Sequence, residues 1–527
     1  NGYEESTSFL GLSLYASLGY AQNEQRLVFN FASPRQTIHS FGASDCWRVQ
    51  YIGKNWPIEK RNQIADLLFS SELDSWGNPK GIGLSMWRFN IGSGSHEAGD
   101  NGGVASLWRR AECFLDKEGD WDWDKQEGQR WMLQAARERG VRYSLGFSIT
   151  APYFMTKNGM ARASEKTPYA NIREDQFDDY AAFLAEVSTH LGLDYLSPIN
   201  EPQWEWVGSG QEGMQATNEE CSRLIHLLDK ELKRRESKTK VVFGEAGDIR
   251  YLYRSGTNKP ERDNQLKEIF SKKGIHSIYG LSSVAPIVSG HSYWSTWPVD
   301  TLIQTRKELA EELGKQLPSN YTYWQTEYCP MEQNPDNPRG GGGRDLGMNT
   351  ALYVARVIHH DLTVANAASW QWWTAFSEWS YKDGLIFIDD GTIADGASRG
   401  DEEMIETCKN DGVFRTSKLL WALGNYSFFV RPGMVRLASG AEMEEATSVM
   451  ASAYIDKSSK QVVVVLINYS EENQKVDLSF QSLPNEYHAQ KYKLFETSNR
   501  SDLQYKGIVG NKFEVPARSI LTLVGVE

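Results

Sequence analysis

The chain has 527 residues, 40% of them hydrophobic and 24% charged, which is long enough for several deep-cored domains and too apolar for a disordered protein. Its 56 basic side chains against 69 acidic ones give a net charge of −13, a field that repels phosphate backbones and argues against a nucleic-acid partner. Five scattered cysteines, Cys46, Cys113, Cys221, Cys329 and Cys408, form no C-x-x-C pair, so neither a disulfide scaffold nor a zinc or redox motif is indicated.

Along the chain, Phe9 to Ala21 (FLGLSLYASLGYA) comes first. It has the length of a signal-peptide apolar region, but acid precedes it where base belongs, so an ordered N-terminal segment is expected and a processing remnant is the alternative. No apolar run is long enough to predict a membrane span. Arg26 to Phe31 (RLVFNF) predicts a strand with no helix after it. Eight further strands follow, with helical patterns between them: IHSFGA, LSMWRFNI, VRYSLGFSI, YLSPIN, VVFGEA, APIVSGH, YTYWQTE and ASWQWW. Among the helices, Phe177, Tyr180, Leu184, Val187 and Leu191 repeat at three and four, and Thr217 with Glu220 spells a capping box. Eightfold strand–helix alternation without a G-x-G-x-x-G turn predicts an α/β fold, a (β/α)8 TIM barrel. The run Gly340 to Gly343 lacks the Gly-Lys-Ser/Thr of a phosphate loop and is expected to be a loop after the seventh barrel strand.

Beyond about residue 430 the helical period gives way to short strands, QVVVVLINYS, KVDLSF, KYKLFET, NKFEVPA and SILTLVGV, the pattern of a β-sandwich. The expected organisation is an N-terminal segment, 1–34, lending its strand to the β-sandwich, then a barrel over 35–430 and the β-sandwich over 431–527.

Barrel chemistry sits at the C-terminal ends of strands. Two glutamates stand there on opposing walls: Glu201 after LSPIN and Glu327 after YWQT. Hydrolysis of a glycosidic bond needs such a pair, one carboxyl to protonate the leaving oxygen and one carboxylate to attack or to activate water. Trp47, Trp87, Trp204, Trp206, Trp294, Trp372 and Trp373 also lie at or past strand ends, and indole faces suit the C–H faces of sugar rings. Trp324 and Trp370, further back, read as core. Asp45 is a candidate acceptor for sugar hydroxyls, and His291 and Tyr293 are candidate pocket residues beside the carboxyls. Glu245, Glu205 and Glu378 also follow strands, but none repeats the Glu201–Glu327 opposition. His359 and His360 are adjacent on a helix and cannot chelate one metal together, so neither metal nor cofactor is expected.

Asn200-Glu201-Pro202 and Gln325-Thr326-Glu327 resemble the strand-four and strand-seven motifs of retaining glycosidases built on this barrel. The resemblance is closest to glycoside hydrolase family 30. It includes FGAS (Phe41–Ser44), Arg88 in WRFNIG, SITAPYFMTKNG (Ser148–Gly159), GHSYW (Gly290–Trp294) and PARSILTL (Pro516–Leu523). It implies that Glu201 is the acid/base, Glu327 the nucleophile, Asn200 the ligand of the sugar 2-hydroxyl and Arg88 the partner of the Glu327 carboxylate. Phe154 stands where the family often has tryptophan, and PYFMT is similar to the galactan-cleaving and fucose-cleaving branches. The resemblance thus implies a carbohydrate substrate, with internal cleavage of β-1,6-galactan expected first. An exo-acting β-fucosidase, β-glucosidase or β-xylosidase is the alternative, and a non-catalytic carbohydrate-binding barrel stands as a reading from another class. A secreted, periplasmic or cell-surface location is implied with it.

Overall fold

The computed structural model describes residues 24–392, 406–439 and 448–527; the Phe9–Ala21 segment lies outside them. The N-terminal strand β1 (Glu24–Thr37) leads into β2 (Ser40–Ser44), β3 (Met86–Asn90), β4 (Tyr143–Phe147), β5 (Tyr195–Ser197), β6 (Lys240–Ala246), β7 (Val284–His291), β8 (Thr322–Glu327) and β9 (Ala367–Trp372). Strands β2 to β9 close a parallel barrel in chain order, so all eight expected barrel strands are present. The Thr217 capping box forms at the head of the helix Asn218–Arg234, with Glu220 N donating to Thr217 Oγ1 at 3.1 Å and Thr217 N to Glu220 Oε1 at 3.0 Å. The expected periodic helix spans Phe177–His190.

The barrel interior is built in layers. At its N-terminal end the His39 ring stacks on Tyr143 at 3.9 Å and lies 4.5 Å from Trp324, with Nε2 bonded to the Tyr195 hydroxyl at 2.9 Å. Burial, helped by Arg142, lowers the His39 pKa to about 3, so this floor is neutral. Met86, Leu145 and Val242 form an apolar plug with Trp324. Arg88 follows two residues after Met86 on β3 and therefore faces the same way, one layer nearer the open end.

Beyond the barrel a small sheet not expected from the sequence joins β10 (Phe376–Ser377), β11 (Ile386–Asp389) and β12 (Val413–Thr416). The β-domain comprises β13 (Val435–Ser439), β14 (Val449–Ile455), β15 (Val462–Asn468), β16 (Gln474–Gln481), β17 (Lys491–Ser498), β18 (Ser501–Val509), β19 (Lys512–Val515) and β20 (Ser519–Val526). Its strand order is β18-β17-β20-β15-β14-β13-β1-β16-β19, with β1 antiparallel to β13 and parallel to β16. Strand β15 shows why this part of the sequence is apolar without alternation. Val462, Val464 and Leu466 face the β-domain core, whereas Val463, Val465 and Ile467 belong to the core shared with the barrel helices. A strand covered on both faces has no solvent side to mark with polar residues.

This double burial ties the β-domain to the barrel. Ending the chain at residue 430 would leave β1 without β13 and β16 and uncover the helix Met348–Thr363, which is buried along nearly its whole length. The shortened protein is expected to aggregate on expression, measured by size-exclusion chromatography; a monodisperse, fully active fragment would contradict it.

Candidate active site

Five ionisable side chains from five strands or strand ends meet above the apolar plug. Arg88 is at the centre and fully buried. It donates from Nη1 to Glu327 Oε1 at 2.8 Å, and from Nη2 to Asn200 Oδ1 at 3.1 Å and to Glu245 Oε2 at 2.7 Å. The Phe147 ring lies 3.7 Å from the guanidinium carbon. Burial opposes the charge of Arg88, yet the Glu245 and Glu327 carboxylates raise its pKa above the ordinary value.

His291, the last residue of β7, bridges the remaining carboxyls. Its Nδ1 lies 2.9 Å from Glu201 Oε2 and its Nε2 3.3 Å from Glu245 Oε2. Burial again works against charge, but Glu327, Glu201 and Glu245 together raise the His291 pKa to about 10. The ring is therefore an imidazolium donating from both nitrogens. Glu245 also accepts from Thr326 Oγ1 at 2.5 Å; although burial penalises its charge, Arg88, His291 and Thr326 hold its pKa far below the usual carboxylate range.

The two candidate carboxyls sit in different company. Glu327 accepts from Arg88 on one oxygen and from the Tyr293 hydroxyl on the other, at 2.9 Å. Two donors on two oxygens suit a carboxylate. Glu201 has its pKa raised, first by burial and second by the Glu327 charge, with His291 pulling the other way. Side-chain oxygens of Glu201 and Glu327 lie within 4.8 Å of each other. Backbone geometry fixes the first of them: Glu201 N donates to Glu245 O at 2.9 Å, and both residues have positive φ, 45° and 41°. Such conformations cost about 1–3 kcal/mol each in a residue with a side chain, and here they turn two strand-end carboxyls into the barrel.

Above them opens a pocket of about 390 Å³ with Asn200, Glu201, Tyr293 and Glu327 at its base. Trp204, Trp206, Trp294 and Trp373 wall it, with Gln211 and Met331 between. Asn200 spends its Oδ1 on Arg88, which leaves its amide N–H groups to donate into the pocket. Trp294 is 46% exposed and forms the outer rim.

Several of the sequence-based assignments need correction. Trp87 is fully buried in the core, packed edge-to-face on Phe69 at 5.0 Å, and His291 lies beneath the pocket without lining it. Asp45 is fully buried; its oxygens accept from Asn90 N at 2.8 Å and Gln129 Nε2 at 3.1 Å, so it braces β2 against β3 and does not line the pocket. Trp372 points outward into the helix layer, donating from Nε1 to Thr374 O at 3.0 Å and Asp383 O at 3.1 Å. Its neighbour Trp373 takes the pocket wall, since adjacent strand residues face opposite sides. Trp47 is buried edge-on behind Trp373 at 5.2 Å and supports that wall. Phe154 is turned away by the short 3₁₀ turn Tyr153–Met155, which buries Met155; it lines a separate surface groove with Trp121 and Arg173. Glu205 is engaged by Lys259 and Arg262, and Glu378 by Arg48. Trp324 and Trp370 are core, as read.

Sequence reasoning missed the central place of Glu245. Its position at a strand end was the available signal, but its pairing with two cations depends on closure of the barrel. Glu201, His291 and Glu327 bring ligand atoms within 4.8 Å of one another, close enough for a metal. Both nitrogens of the His291 ring are engaged with carboxylate oxygens, Nδ1 with Glu201 at 2.9 Å and Nε2 with Glu245 at 3.3 Å.

Comparison with known proteins places this geometry. A sequence model described as O-Glycosyl hydrolase family 30 matches residues 24–387. An endo-β-1,6-galactanase of Hypocrea rufa is 22% identical over 409 residues, 73% of each chain. Among solved structures, a conserved exported protein from Bacteroides fragilis superposes with a TM-score of 0.86 at 38% identity, covering 95% of this chain and 100% of that one. The catalytic domain of a family 30 xylanase C from Talaromyces cellulolyticus gives a TM-score of 0.65 at 18% identity, with coverages of 95% and 100%. Because the family match runs from β1 past the closing strand of the barrel and takes in every residue of the charge cluster, the chain belongs to glycoside hydrolase family 30 and is a glycoside hydrolase.

Proposed function

We propose that the enzyme retains anomeric configuration, with Glu327 as nucleophile and Glu201 as acid/base, and that it cleaves β-1,6-linked galactan internally. The observation that carries the mechanism is the spacing of the two carboxyls. Oxygens within 4.8 Å suit the roughly 5–5.5 Å separation of retaining enzymes, whereas an inverting pair needs about 6.5–9.5 Å to seat a water. The roles follow from the partners. Glu327, with a donor on each oxygen, attacks the anomeric carbon as the glycosidic bond breaks, forming a glycosyl ester. Glu201, its pKa raised by burial, gives its proton to the departing oxygen. Water then enters, Glu201 takes its proton, and the oxygen attacks the ester to release a sugar of the original configuration and free Glu327. Asn200 is placed to donate to the 2-hydroxyl, and Trp373 to stack on the ring.

The substrate assignment is supported by the Hypocrea rufa galactanase and by the indoles flanking Glu201, Trp204 and Trp206, which extend stacking past one sugar unit. Phe154 no longer contributes to it. An extracellular or surface location is supported by the exported Bacteroides fragilis relative; among the described residues no helix is long and apolar enough to cross a membrane.

Two experiments test these assignments. Glu327→Gln should lose several orders of magnitude of turnover on every substrate, whereas Glu201→Ala should be spared on aryl glycosides with acidic phenols, which leave without a proton, and should yield a β-configured glycosyl azide with added azide. An α-configured azide, or the reverse pattern of losses, would overturn the roles. Incubation with β-1,6-galacto-oligosaccharides should release short oligomers from the interior. Single sugars from the non-reducing end would indicate the exo-acting alternative, and turnover of β-glucosides or β-fucosides with no galactoside cleaved would refute the galactan assignment.

A further inference from the structure

We infer that Glu245 is a positioning residue for this reaction, a buried anion that keeps Arg88 and His291 charged and thereby leaves the proton on Glu201. The inference rests on the reading of Glu201 as the acid. Glu245 is fully buried and takes no part in the pocket wall, so it acts through its neighbours. One of its oxygens, Oε2, accepts from both cations, Arg88 at 2.7 Å and His291 at 3.3 Å. Each cation spends its other bonds on the working pair, Arg88 on Glu327 and His291 on Glu201.

Charge accounting gives the consequence. With Arg88 and His291 positive and Glu245 and Glu327 negative, the cluster is neutral while Glu201 holds a proton. Buried beneath the pocket, with only Glu201 and Glu327 reaching it, a cluster with uncompensated charge is costly. If Glu245 were neutral, two cations would face Glu327 alone, and neutrality would return when Glu201 or His291 released a proton. Whichever does so, the pair loses its proton at a lower pH. The ionisable groups facing this cluster are Arg88 from β3, Glu201 after β5, His291 and Tyr293 from β7 and its end, Tyr323 and Glu327 from β8, Asp45 and Cys46 after β2, and Cys329 past β8; burial raises both thiols well above their ordinary pKa, and so keeps them neutral. Burial holds both tyrosines well above their ordinary pKa, and so neutral. Burial also pushes Asp45 up to about 7, with Asn90, Gln129 and the Arg88 charge pulling the other way; its hydrogen-bond partners Asn90 and Gln129, and the charge of Arg88, stay in place when Glu245 is changed to Gln.

Glu245→Gln is the discriminating variant. It keeps the backbone carbonyl that holds Glu201 N and removes the charge. The measurement is kcat/KM against pH for a phenyl and a 2,4-dinitrophenyl glycoside of the sugar that the wild-type enzyme turns over. The alkaline limb should move down by about one pH unit or more. Above the shifted limb the phenyl substrate should lose about tenfold for each unit of the shift, while the dinitrophenyl substrate, which leaves without a proton, is nearly unchanged. Glu245→Asp should restore the limb at least half-way. An unmoved limb, or equal losses on both substrates, would overturn the inference. A second measurement needs no variant at position 245: in the wild-type enzyme labelled with 15N-histidine and assigned against His291→Gln, His291 should show two ring N–H protons at pH 7, and a single one would overturn the inference. If instead Glu201→Ala shows no dependence on the leaving group, the assignment of the acid fails, a result distinguishable from failure at Glu245.

Discussion

The structure depends on one buried guanidinium. Arg88 sits at the level where the barrel changes from apolar plug to open pocket, and its bonds to Glu327, Glu245 and Asn200 draw together the ends of β8, β6 and β5. Buried charges of this kind survive only when paired and hydrogen-bonded. Here Arg88 has carboxylates on two of its nitrogens and the Phe147 ring against its face. His291 repeats the arrangement on the other side, between the carboxyls of Glu201 and Glu245.

That arrangement gives two glutamates of the same chemistry different surroundings, which is the basis of the opposite tasks proposed for them. Glu327 accepts from Arg88 and Tyr293, whereas Glu201 has burial and a nearby negative charge against it and His291, with a weaker pull from Arg88, in its favour. The difference lies in partners contributed by other strands. Positive φ at Glu201 and Glu245 is the conformational cost of aiming both carboxyls inward from strand ends. The surrounding scaffold holds them there, from the aromatic floor at His39 to the β-domain strand β15, packed on both faces.

Much of this was legible in the sequence. The barrel strands are short β-branched and aromatic runs because both their faces are covered, and the two candidate glutamates stand where such runs end. Strand β14, VMASAYI, escaped notice because Ala451, Ser452 and Ala453 at its centre carry little strand signal although the whole strand is buried. Strand β18 lies at the edge of the sheet, and Asp502, Gln504 and Lys506 on its solvent side interrupt the apolar pattern. Within the site, Trp372 and Trp373 differ by one residue, and the phase of a strand at its end decides which indole meets the pocket. Phe154 was misplaced because a single 3₁₀ turn reverses its direction. Asp45 and Glu245 are both acids near strand ends, and only the closed barrel separates a brace from a counter-ion.

The central claim, that Glu327 forms the bond to the sugar while Glu201 supplies the proton, is tested most directly by trapping. A 2,4-dinitrophenyl 2-deoxy-2-fluoro-β-galactoside slows both steps but leaves without a proton, so the glycosyl ester should accumulate. Peptide mass spectrometry of the inactivated enzyme should then locate one fluorosugar on Glu327. A fluorosugar on Glu201, or on any other residue, would contradict the account.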